Sequence, residues 1–332
     1  MVLLTNLVQG KSLRELSVKY ALKTNYPPVL DGKLNDKCWQ EAPTYSRYQS
    51  KAKQPQKTEL KIVWTEKGIY LGIKNYERNI DSLKAKTNLR DGGRVWADDC
   101  SELYIDPTAT GYTMFKFEIN SIAAIADVWQ VDMGFTDTTW NAASARASCG
   151  KTADAWNIEF FVSWVDLKKK PEVGDIWCII HRRLSWTSGI LEDYSSSGGR
   201  FHDRKFGYLY FMDKKLPPVK ELGNKLLAMA SPEWVLPYQK QWIWAKDKKQ
   251  VVISSGNSII LEMNKLAQKN LTKAAKVTAN DAPLKNKTFK LQTELNNVSR
   301  KDAFSAMKKY NEIATDSQKL IDEFQLMKLI SD

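Results

Sequence analysis

Two periodicities divide this chain. Up to about residue 213, apolar and polar residues alternate in short runs separated by turn residues, as in strands with one buried face. Beyond that point apolar residues return every three or four positions, as in helices. The clearest alternation is at residues 101–106, where Leu103 and Ile105 point one way and Glu102, Tyr104 and Asp106 the other, before Asp106-Pro107 signals a turn. Residues 113–120 repeat it, with Phe115, Phe117 and Ile119 opposed to Lys116, Glu118 and Asn120. Residues 122–129 continue as a partner strand. Residues 60–65 and 69–77 flank Glu66-Lys67-Gly68, a hairpin signature that expects positive φ at Gly68. Further strands are expected at residues 16–22, 156–164, 175–186 and 208–211, and Leu34 and Trp39 should anchor a short helical turn after Asp31-Gly32. Residues 78–94, 131–140 and 195–200 read as loops, the first long enough to suggest function. There is no βαβ alternation and no glycine-rich phosphate loop. The pattern therefore predicts a mainly β fold, an antiparallel β-sandwich of jelly-roll or immunoglobulin-like type.

Lys214-Lys215-Leu216-Pro217-Pro218 marks a boundary, giving a lead-in at residues 1–15, a sandwich at 16–213 and a small α-helical region at 214–332. Residues 219–230 and 258–277 have helical spacing, with Ile259, Met263 and Leu266 on one face of the second. A third helix follows the weak capping signal Ser299-Arg300-Lys301-Asp302, and its apolar stripe runs through Phe304, Met307, Tyr310, Ile313, Leu320, Phe324 and Met327. Residues 233–253, where Trp242 and Trp244 alternate, fit either a hairpin or helix ends. The helical stripes need burial against each other or against a protein partner.

Composition changes this picture little. At 332 residues, 43% hydrophobic and with twelve Trp, the chain has ample material for a core. No apolar run approaches the ~20 residues of a membrane span. The net charge of +12 is concentrated beyond residue 213, where 21 Lys+Arg meet 12 Asp+Glu, against 29 and 26 upstream. Those lysines are scattered among acids and amides, which describes solvated helix surfaces better than a nucleic-acid interface. The Met1-Val2-Leu3-Leu4 start lacks the basic flank and cleavage site of a secretory signal. Cys38, Cys100, Cys149 and Cys178 have no metal-type spacing; isolated buried thiols are expected, with disulfides an option if the protein is exported.

The candidate chemistry gathers at residues 96–106. A sugar ring offers an apolar C–H face to a flat aromatic and a rim of hydroxyls to paired donors and acceptors. Trp96, Glu102 and Lys116 supply that set, Asn120 could join it, and Trp129 and Trp140 could line the same face. Asp98 and Asp99 read as a solvated edge or as hard oxygen ligands for calcium. Three acids on one strand edge do not make a glycosidase cleft. His181 and His202, the two histidines, sit in no nucleophile context, so no enzyme is expected.

In this order, residues 29–39 (VLDGKLNDKCW), 64–71 (WTEKGIYL), 96–106 (WADDCSELYID) and 205–209 (KFGYL) resemble family 9 carbohydrate-binding modules and their relatives, over about residues 16–213. The resemblance implies a β-sandwich shared with cytochrome-like and catecholamine-related sensor domains, usually on exported proteins that handle polysaccharides. It also implies a sugar held between two tryptophans, nearby charged and amide side chains, and often a structural calcium. Position by position, Trp96 matches the first stacking tryptophan, Glu102 the carboxylate that binds hydroxyls, and Lys116 a sugar-binding arginine. No tryptophan precedes the closing Phe-Gly, which leaves Phe201, a folded-over Trp186 or no second wall at all. The expectation is a non-catalytic carbohydrate-binding protein, secreted, periplasmic or at the cell surface, requiring no cofactor beyond structural calcium. The alternatives are a scaffold or adhesion domain that has lost its sugar, and a haem-binding sandwich using His181 or His202 with Met114 or Met133.

Overall fold

A computed structural model of the chain describes residues 13–131, 135–198 and 205–331. Two compact units emerge, one spanning Ser17–Pro217 and the other made of residues 13–16 together with Pro218 onward. The lead-in contributes β1 (Arg14–Glu15) to the second unit.

The first unit contains β2 (Val18–Lys23), α1 (Lys37–Glu41), β3 (Thr44–Tyr45), β4 (Gln49–Ser50), β5 (Thr58–Trp64), β6 (Gly68–Tyr76), β7 (Cys100–Asp106) and β8 (Thr113–Asn120). It continues through β9 (Ile125–Val131), β10 (Phe135–Asp137), β11 (Arg146–Lys151), β12 (Ala155–Ser163), β13 (Ile176–Ser185), β14 (Glu192–Ser195) and β15 (Gly207–Met212). All these strands belong to one curled sheet, ordered β10-β9-β8-β7-β13-β15-β2-β5-β6-β12-β11, with β14, β4 and β3 attached beside that path. The two halves face each other as a sandwich. Leu103, Ile105, Phe115 and Phe117 from one half share a core with Leu60, Ile73, Ile158 and Phe160 from the other, and the Phe117 and Phe160 rings meet at 5.0 Å. Trp64, Trp177 and Phe211 pack edge to face in the same core.

Three details depart from the pattern. The sheet is mixed, because β2 pairs in parallel with both β15 and β5 where an all-antiparallel sandwich is expected. Gly68 lies inside β6 and its φ is not positive; glycine is needed because a Cβ there would come within 2.3 Å of the Val162 carbonyl oxygen on β12. Within residues 131–140, Phe135–Asp137 forms a short strand on β9. Trp39 anchors the expected helical turn, α1, from inside the core at 1% exposure, with its indole N–H donated to Glu159 at 2.8 Å.

The second unit adds α2 (Val219–Met229), β16 (Trp234–Tyr238), β17 (Gln241–Ala245), β18 (Val252–Ser254), α3 (Gly256–Val277), α4 (Ala282–Asn296) and α5 (Ala303–Ser331). The ambiguous residues 233–253 are resolved as an antiparallel meander that β1 extends in parallel. Ile259 and Met263 of α3, Met307 and Ile313 of α5, Leu13, Val235 and Trp244 form one core. Helix α4, absent from the sequence reading, sets Leu284, Thr288, Leu291 and Leu295 along one face, against Leu320 and the α3–α5 core. Asp281 caps its start by accepting from the Leu284 N–H at 2.9 Å. No helix among the described residues is long and apolar enough to cross a membrane.

Candidate functional site

Alternation in β7 and β8 sends Leu103, Phe115 and Phe117 into the core and leaves Glu102, Tyr104, Lys116 and Glu118 on the other face. The register sets Glu102 opposite both Glu118 on β8 and Arg182 on β13, and Tyr104 opposite Lys116. Such packing of like and unlike charges is tolerable only if they pair, and they do. Lys116 Nζ lies 3.2 Å from Glu102 and also donates to Glu118, while Arg182 bridges Glu102 and Asp193. Burial opposes the Lys116 charge, but Glu102, Tyr104 and Glu118 outweigh it and hold its pKa above the ordinary value. Burial likewise opposes the Arg182 charge, and Asp193 and Glu102 overcome it. At Glu118 burial dominates and raises the pKa.

Trp96 stands beside this network on a 3₁₀ turn, Val95–Ala97. Val95 is fully buried against Cys100 and Leu184 and acts as the anchor that leaves Trp96 outside, 43% exposed. The Trp96 backbone N–H donates to Glu118 at 3.1 Å, which ties the aromatic to the charged row. Trp186 follows β13 and is half-buried; its N–H donates to Asp99 at 2.8 Å.

Asp98 and Asp99 brace the loop ahead of Trp96. Asp98 accepts from the Lys86 and Thr87 N–H groups at 3.0 and 2.9 Å and from Asn120 at 3.1 Å, while Asp99 accepts from Lys84 N–H at 2.6 Å and from Trp186. These oxygens face amide hydrogens, whereas calcium takes six to eight oxygen ligands. Among the described residues no three His, Cys, Asp or Glu side chains gather to hold a metal. Asp98 and Asp99 therefore do not fit a calcium site. Asn120 is withdrawn too: fully buried, it donates to the Thr87 carbonyl at 2.7 Å and accepts from Ala124 N–H at 2.9 Å, so it closes the β8–β9 turn rather than facing a ligand.

Trp129 and Trp140 pack against Phe115, at 6.4 and 4.9 Å between ring centroids, on the core side of β8 rather than on the Glu102 face. Phe201, His202 and Met133 lie outside the described residues. His181 is fully buried, with Nδ1 2.6 Å from the Tyr48 hydroxyl. Its register partner Leu103, and Phe117 opposite Leu103 on β8, are core residues, while Met114 shares the alternate parity of Lys116, so His181 and Met114 occupy opposite faces and cannot clamp one haem. The four cysteines are free.

Sequence reasoning missed Arg182 and Asp193. Arg182 is embedded in a strand dense with aromatic and β-branched residues, and only the cross-strand register reveals that it meets Glu102. A cavity of about 760 Å³ opens elsewhere, between the ends of β2 and β15 near Tyr26 and Lys214. Its lining holds Tyr26, Glu41 and Asp213 but no tryptophan, and the candidate site is taken at Trp96.

Residues 30–169 match the carbohydrate family 9 binding domain-like family. Among solved structures, the chain is similar to a family 9 carbohydrate-binding module from Caldicellulosiruptor kristjanssonii in complex with cellotriose, at 16% identity and a TM-score of 0.46, covering 61% of this chain and 98% of that one. The complex of a family 9 module from the same organism with glucose gives 15% identity and a TM-score of 0.45, covering 60% and 100%. A protein from Bacteroides uniformis gives 16% and 0.47, covering 60% and 99%. No curated protein matches the chain.

Proposed function

We propose that this chain, which carries a family 9 carbohydrate-binding-module-like domain at residues 30–169, binds glycan without cleaving it, at the face marked by Trp96. The observation that carries the reading is an exposed tryptophan fixed beside a row of alternating acids and bases on one face of the sandwich. Trp96 offers a stacking surface; Lys116 and Asp193, the partly exposed members of the row, offer a donor and an acceptor for ring hydroxyls, and the buried Glu102 and Arg182 hold them in place. Trp186 supplies a second wall. Every carboxylate of the row is engaged by a cation, an arrangement suited to recognition rather than proton transfer. The reading places the protein outside the cytoplasm, where polysaccharides are met.

Cellotriose and glucose are the first probes. Titrating them while following tryptophan fluorescence should give saturable binding that Trp96→Ala abolishes. One observation favours the rival, a scaffold that has lost its ligand: Glu102, Lys116 and Arg182 already satisfy one another. No response to any soluble or insoluble glycan would support that rival.

A further inference from the structure

The charges around Trp96 are unevenly used. Glu102, Glu118 and Asp193 share Lys116 and Arg182, and Asp98 and Asp99 spend their oxygens on N–H groups. The loop leading into Trp96 carries Lys84, Lys86 and Arg94, and among the described residues none of these three makes an ion pair. Two of them stand over the two described candidate platforms. The Arg94 guanidinium lies 5.9 Å from the Trp96 ring centroid, and Lys84 Nζ lies 4.5 Å from that of Trp186. Asp99 links the pair, accepting N–H bonds from both Lys84 and Trp186 only three residues beyond Trp96.

A neutral sugar stacking on Trp96 would have to displace Arg94 from the ring and could offer its guanidinium only hydroxyl acceptors, with no counter-charge. A sugar bearing a carboxylate or sulfate would give the displaced guanidinium a planar, two-oxygen partner, the geometry arginine pairs with best. The five acids of the face, Glu102, Glu118, Asp193, Asp98 and Asp99, are offset by Lys116, Arg182, Lys84, Lys86 and Arg94 together, and of these Arg94 is the exposed cation beside the ring. We infer that the ligand of the Trp96 face is an anionic glycan, its sugars carrying carboxylate or sulfate groups that Arg94 and Lys84 recognise beside the aromatic rings. The inference rests on the glycan reading of this face and adds the charge class of the ligand.

The test titrates the full chain with trigalacturonate, with its fully methyl-esterified neutral counterpart and with a sulfated galactan tetrasaccharide, at low and high salt. At least one anion should bind about tenfold tighter than the ester at low salt. Added salt should shrink that advantage, and Arg94→Gln, a change at an exposed residue, should collapse the ratio. Whichever anion binds tighter separates carboxylate from sulfate recognition. Equal affinity for ester and anions, or an unchanged ratio in Arg94→Gln, overturns the inference. If the ester still binds in a Trp96-dependent way, the glycan site survives that result; if no glycan binds at all, both readings fall together.

Discussion

At the scale of single residues, exposure separates those free to meet a ligand from those that hold the face together. Trp96 is 43% exposed, so Trp96→Ala should leave stability within about 0.5 kcal/mol. The same change should weaken glycan binding at least about tenfold, ~1.4 kcal/mol. Thermal melts alongside the titration would check both, and a large loss of stability would recast Trp96 as a packing residue. Asp98 behaves oppositely. Asp98→Ala orphans two backbone N–H groups and the Asn120 amide, each costing about 1–3 kcal/mol when buried. Urea unfolding should show the loss, and calcium should change neither protein; a calcium-dependent melt would restore Asp98 as a metal ligand.

At the scale of elements, the facing halves of the sandwich are joined by more than apolar side chains. Arg183 of β13 reaches across the interior to Glu77 at the end of β6, at 2.8 Å, and both side chains are fully buried. Arg183 also donates to the Tyr76 carbonyl at 2.7 Å, and Gln56 donates to the Glu77 carboxylate. Burial works against ionised Glu77, but the Asn79 N–H, Gln56 and Arg183 outweigh it and lower its pKa. Removing one partner leaves an unmatched buried charge, so Glu77→Gln should cost about 3–5 kcal/mol, read from chemical denaturation. A cost below about 1 kcal/mol would mean that Gln56 and the backbone carry the join without the ion pair.

At the scale of the whole molecule, two buried bases make the first unit sensitive to pH. Burial lowers Lys19 to about 7 from 10.5, and lowers His181, with Lys19 and Arg183 adding to the effect, to about 3 from 6.5. Both are therefore neutral in the fold when the unfolded chain would bind a proton. The unfolded state takes up more protons between each pair of values, so stability must fall as pH drops through each window. The Lys19 contribution is complete above its unfolded value and is lost as pH falls from about 10.5 through about 7. That of His181 is lost from about 6.5 through about 3. Melting temperature should thus rise from neutral to alkaline pH, and Lys19→Met should flatten the rise; an unchanged slope would show that Lys19 is charged in the fold. The second unit responds to a different change. Leu13 is 3% exposed in its core, so Leu13→Ala should cost that unit about 2–5 kcal/mol, seen as early loss of the helical circular-dichroism signal.

The sequence by itself determined strands β2, β5 to β9, β12, β13 and β15, helices α2, α3 and α5, and the placement of Glu102, Tyr104, Lys116 and Glu118 on one face. Periodicity of two or 3.6 residues records directly which side of an element meets the core. It also marked Trp96, because a large aromatic just ahead of an alternating acidic strand stands out locally. Only the tertiary structure decided what those residues touch. Register across β13, β7 and β8 brought Arg182 to Glu102. The fold of residues 84–99 turned Asp98, Asp99 and Asn120 into internal braces, and the approach of β12 made Gly68 necessary. The parallel seating of β2 between β15 and β5, and the loss of β1 to the other unit, are long-range pairings of the same kind. Each depends on segments distant in the chain meeting in space, and local alternation carries no information about which partner will be opposite.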